Sequence, residues 1–84
     1  MPTISEFYGI KILLYVDHMP PHLHIKYQNE TYVFYIETGE FQHTPPKTVR
    51  KLVTRWYNEH KEEIKEAWYL MQEKGIVKKI EPLE

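Results

Sequence analysis

Apolar and polar residues alternate along the first half of the chain and recur at helical spacing along the second. Ile10, Ile12, Leu14 and Val16 interleave with Lys11, Leu13, Tyr15 and Asp17, which predicts a strand over about 8–17. Pro20-Pro21 ends it, because proline fixes φ and offers no N–H to a sheet ladder. Further strands are predicted over about 22–28 and 31–37, joined by the short polar stretch Gln28-Asn29-Glu30-Thr31. With Asn29 and Glu30 as the loop pair, Leu23 meets Ile36, Ile25 meets Phe34 and Tyr27 meets Tyr32, an apolar side throughout. The other side then carries His22 opposite Glu37, His24 opposite Tyr35, and Lys26. A slip of one residue would mix the faces, so the pattern specifies which residues enter the core.

From Val49 onward, Leu52, Val53, Trp56, Tyr57, Ile64, Ala67, Trp68 and Met71 form one helical stripe. Thr44-Pro45-Pro46 reads as the helix start, with Thr44 as N-cap, and Gly75 as the stop. A continuous helix over 46–74 would be about 43 Å long, against about 23 Å for a seven-residue strand. A break near Asn58-Glu59-His60 relieves the overhang and predicts two helices, about 46–58 and 60–74, before an extended tail over 76–84. The expected fold is therefore α+β: a three-stranded, mainly antiparallel sheet followed by two helices packed on one face. With no linker, repeat or low-complexity tract visible, residues 1–84 are expected to form a single domain.

Composition narrows the chemistry. The absence of Cys removes disulfides, zinc ribbons and thiol nucleophiles. The longest clearly apolar run, Ile12–Val16, is far too short to span a bilayer. The first residues lack the layout of a signal peptide, so a cytoplasmic location with no membrane partner is expected. A net charge of −1 conceals an asymmetry: 41–58 holds Lys47, Arg50, Lys51 and Arg55 and no acid. At helical spacing these four make a basic stripe, which would give salt-dependent, sequence-blind affinity for RNA or another polyanion. No P-loop, dinucleotide fingerprint or nucleophile elbow is present, and no cofactor is expected.

The densest chemistry lies in Asp17-His18-Met19-Pro20-Pro21-His22-Leu23-His24, which holds three of the five histidines. His22 and His24, two apart on a strand, point the same way. Together with Glu37 they supply the residue types of metal-free RNA cleavage: a base, an acid and a carboxylate to orient one of them. Lys26 and the basic stripe would then hold phosphate. A second reading makes the chain a non-catalytic protein-interaction module. A third makes it a small metal-binding protein, with His18, His22 and His24 as N ligands. An uncovered sheet face or strand edge would also permit a homodimer.

The opening Met1-Pro2-Thr3-Ile4-Ser5-Glu6-Phe7-Tyr8-Gly9-Ile10, the His-x-x-x-His-x-His stretch with its proline pair, Ile36-Glu37-Thr38-Gly39-Glu40 and the closing Ile80-Glu81-Pro82-Leu83 resemble a family of short prokaryotic proteins. That family is the domain of unknown function numbered 4160. His18, Pro20, Pro21, His22, His24, Glu37 and Gly39 match its motif, whereas Tyr35 stands where relatives often carry a small or acidic residue. Members are often encoded beside another small uncharacterised domain, in an arrangement similar to a toxin–antitoxin pair. The resemblance thus implies a small toxin-like or nucleic-acid-associated module with a partner protein encoded by a neighbouring gene, and assigns no catalytic residue.

Overall fold

The computed structural model describes residues 2–84. Its sheet has five strands, β1 Thr3–Phe7, β2 Ile10–Leu13, β3 His22–Tyr27, β4 Glu30–Tyr35 and β5 Glu40–Phe41. They are antiparallel neighbours in chain order. Two helices follow, α1 Lys47–Glu59 and α2 Lys61–Lys74.

The three-strand expectation is corrected to five, and the extra strands have local causes. Tyr8 (φ 50) and Gly9 (φ 77) turn left-handed and close a hairpin between β1 and β2. The stretch 8–17 is thus a turn, a four-residue strand and the start of a loop. Glu40–Phe41 adds a short edge to β4.

The β3–β4 register also differs from the sequence expectation, by two residues. Gln28 (φ 55) and Asn29 form the turn, so His22 pairs with Tyr35 and His24 with Val33. Because side chains alternate with a period of two, this shift changes partners and leaves the faces intact. Leu23, Ile25, Phe34 and Ile36 are buried in the core, while His22, His24 and Lys26 share the other face.

Helix α1 buries Val49, Val53, Trp56 and Tyr57, and α2 buries Ile64, Ala67, Trp68 and Met71, in one cluster with the apolar face of the sheet. Pro46 occupies the α1 capping position without a side-chain cap, so Thr44 does not serve as N-cap. The break between the helices falls at His60 (φ −130, ψ 27). Its N–H donates to the carbonyls of Trp56 and Tyr57 at 3.1 and 3.2 Å, and its carbonyl accepts from Ile64 at 2.9 Å. One residue therefore closes α1 and opens α2. Gly75 (φ 65) ends α2 in the left-handed conformation that glycine adopts without a Cβ penalty. Beyond it, Ile80 N–H donates to Ile4 O at 2.8 Å on β1, and Trp56 Nε1–H donates to Glu81 O at 2.9 Å. These bonds bury Ile80 and Leu83 against the core.

Candidate metal centre

After β2 the chain folds back over the start of β3, and a side chain of α2 holds it there. Gln72 Oε1 accepts from the Asp17 N–H at 2.9 Å, and Gln72 Nε2 donates to Tyr15 O at 2.8 Å. The Asp17 carboxylate is then divided between two tasks. Oδ1 accepts from the His18 N–H at 2.8 Å, a local bond that short acidic side chains make readily at turns. Oδ2 points at β3, where His22 Nε2 lies 3.0 Å away and His24 Nε2 3.3 Å away.

The other ring nitrogen of His22 lies 2.8 Å from Pro20 O. A carbonyl can only accept, so Nδ1 carries a proton and donates it. Nε2 is then either protonated and ion-paired to Asp17, or presents a lone pair towards a carboxylate. In the second state a cation between the two would remove the repulsion. A backbone carbonyl that fixes the tautomer in this way is the usual support of a metal-ligating histidine. His24 packs edge-on to Tyr15 with ring centroids 4.9 Å apart, and Trp68 lies 5.8 Å from the His22 ring.

The three side chains remain reachable, with relative exposures of 13% for His22, 24% for His24 and 31% for Asp17. The amide of His18, followed by the hydrogen bonds from His22 and His24, holds the Asp17 carboxyl down at about 2 from an ordinary 3.8. The acid is therefore a carboxylate near neutrality, as a ligand must be.

Each of the three residues offers a ligand atom, and these atoms lie within 4.8 Å of one another. Zinc bonds of about 2.0–2.2 Å to nitrogen and oxygen place neighbouring atoms of a tetrahedral shell roughly 3.3 Å apart. The contacts of 3.0 and 3.3 Å already sit near that spacing. Three ligands leave at least one coordination position for water or a ligand.

The residues expected to form a site are redistributed. His22 and His24 come together, but their acidic partner is Asp17, which sequence reasoning passed over. Glu37 lies beyond the end of β4 and lines a surface depression with Pro20, Pro21, Tyr35, Thr38 and Glu40. His18 contributes its backbone N–H, and its side chain is outside the cluster. Lys26 stands two residues beyond His24 on the same face. Lys47, Arg50, Lys51 and Arg55 share one open depression on α1 with Thr54, Asn58 and Glu59. The Arg55–Glu59 contact there is long, at 3.7 Å, and both side chains are largely exposed. His60 bonds Glu63 at 2.8 Å, and His43 is an exposed loop residue.

The family described as a domain of unknown function, DUF4160, matches residues 9–69, a span that includes Asp17, His22 and His24. The chain belongs to the DUF4160 family. No curated protein and no solved structure matches it. The DUF4160 match ends within α2, before Gln72, so the residue that clamps the Asp17 loop lies outside the matched span.

Proposed function

We propose that the protein is a small metal-binding domain that holds one divalent transition-metal ion, zinc foremost, on Asp17, His22 and His24. The convergence of two histidine Nε2 atoms on one carboxylate oxygen, with the His22 tautomer fixed by Pro20 O, carries this reading. An N₂O donor set without sulfur suits zinc, iron(II), nickel or copper, and is too nitrogen-rich for calcium or magnesium.

A metal-independent ribonuclease built on His22, His24 and Glu37 draws less support from this convergence. In-line displacement at phosphorus puts the attacking and leaving oxygens on opposite sides, so acid and base must flank the phosphate. The two Nε2 atoms meet at one carboxylate oxygen, an arrangement that favours a shared cation over flanking positions about a phosphate. A second reading, a toxin-like, nucleic-acid-associated module of a two-protein pair, draws support from the exposed cations of α1. Among the described residues, none of Lys47, Arg50 and Lys51 has a carboxylate within ion-pair distance.

Calorimetric titration of untagged, chelator-treated protein with zinc tests the proposal. One equivalent is expected in the wild type, with affinity falling about tenfold or more in Asp17→Asn or His24→Ala. Uptake below one equivalent, or equal affinity in the variants, would refute it.

A further inference from the structure

Lys11 of β2 and Lys26 of β3 are direct cross-strand partners. Residues so paired project from the same face with Cβ atoms about 4.5–5.5 Å apart, and like charges in that position oppose sheet formation. Among the described residues neither ammonium has a carboxylate within ion-pair distance, although Glu6 stands opposite Lys11 on β1. The pair therefore opposes local sheet pairing, and among the described residues only Glu6, across from Lys11, stands near enough on that face to offset it, without closing an ion pair.

Its position is what gives it meaning. His22, His24 and Lys26 occupy alternate places on β3, so the ammonium pair begins one step along the strand from the His24 ligand. That step is roughly 6.8 Å, within reach of a four-carbon lysine stem. Leu13 and Val33 flank His24 on β2 and β4, so its strand neighbours bring no carboxylate between the cluster and the lysines. Thr31, opposite Lys26, adds a hydroxyl to the same end of the face. The strip thus runs from a cation site with an open position to two ammonium groups that have no ion-pair partner among the described residues, all on one side of the sheet.

We infer that the metal-loaded centre binds a phosphate group, with one oxygen on the metal and others on Lys11 and Lys26. This rests on the metal reading above and specifies its ligand class. A tetrahedral anion suits the strip because its oxygens diverge: one can face the metal while two face the ammonium groups. The phosphate can be free or monoesterified, with three or more terminal oxygens for these contacts, or a nucleic-acid backbone diester, whose two non-bridging oxygens would serve the metal and the lysine pair.

Cobalt(II)-loaded protein provides the test, with inorganic phosphate and a short single-stranded RNA as probes. Cobalt uptake is measured first, by its visible absorption. Phosphorus NMR then follows paramagnetic broadening of inorganic phosphate, and fluorescence anisotropy follows the RNA. Wild-type protein is expected to broaden the phosphate signal. Lys11→Met/Lys26→Met, which leaves the metal ligands untouched, is expected to bind phosphate about tenfold more weakly or worse. Its cobalt affinity should be unchanged or slightly raised, because two nearby cations are gone. Tighter binding of inorganic phosphate supports a free or monoester ligand, and tighter binding of RNA supports a backbone ligand. Full cobalt uptake with no broadening, or with equal phosphate affinity in the double variant, would overturn this inference alone. Failure to take up cobalt would overturn the metal reading together with it.

Discussion

Gln72→Leu separates the loop's contribution to stability from its contribution to the site. The amide of Gln72 makes two hydrogen bonds to the returning loop, one to each side of Val16. Leucine keeps much of the side chain's bulk and removes both bonds. Each neutral hydrogen bond contributes about 0.5–1.5 kcal/mol net, so the loss should be about 1–3 kcal/mol. For a chain of this size that lowers Tm by roughly 4–8 °C per kcal/mol. Without the clamp, Asp17 Oδ2 no longer has a fixed position opposite the two Nε2 atoms, and zinc affinity should fall about tenfold. Tyr57→Phe is the matched control. It removes the bond from the Tyr57 hydroxyl to Ile36 O, deep beneath the helices, at a cost of about 1–3 kcal/mol. Thermal melts of the metal-free proteins and zinc titrations of all three give the comparison. Equal losses of zinc affinity in the two variants would mean that global stability alone governs the site. An unaltered affinity in Gln72→Leu would show that the loop needs no clamp, and either result would refute the reasoning.

Three further outcomes follow from particular residues. Asp17 has a folded-state carboxyl held down at about 2, so its contribution to metal-free stability is present above about pH 4 and is lost as pH falls towards 2. Urea unfolding of wild type and Asp17→Asn should therefore show a stability gap that closes between those values, and a gap that stays constant would contradict the assignment. Gly39→Ala places a Cβ 2.9 Å from Tyr57 Cε2 at a residue with φ +73, and should cost about 1–3 kcal/mol in the same assay. Leu23→Ala empties a fully buried site on β3 directly between the two histidines and should cost about 2–5 kcal/mol, with zinc partly restoring the melting temperature.

The faces of the sheet were legible because they depend only on alternation. Leu23, Ile25 and Phe34 would be core residues in either of two registers differing by two positions, so an error in the turn left them in place. The partners of His22 and His24 were not legible, because they depend on which residues turn, and Gln28 with Asn29 made the turn expected of Asn29 and Glu30. The two-helix break was readable from length, since one straight helix could not stay on so small a sheet. β1 escaped notice because Thr3–Phe7 is short and its hairpin turns at Tyr8-Gly9, where tyrosine gives no turn signal. Asp17 could not be chosen over His18 from spacing alone. The choice is made by Gln72, 55 residues away, which fixes the loop so that Asp17 faces β3. Glu37 looked apt only under the register that the turn displaced.

X-ray absorption at the zinc edge of the one-to-one complex tests the central claim most directly. Two imidazole rings and one carboxylate oxygen are expected in the first shell at about 2.0–2.2 Å. The imidazole signature should fall to one ring in His24→Ala, and the carboxylate oxygen should be lost in Asp17→Asn. A first shell with fewer than two imidazoles in the wild type, or one unchanged in both variants, would contradict a metal centre on Asp17, His22 and His24.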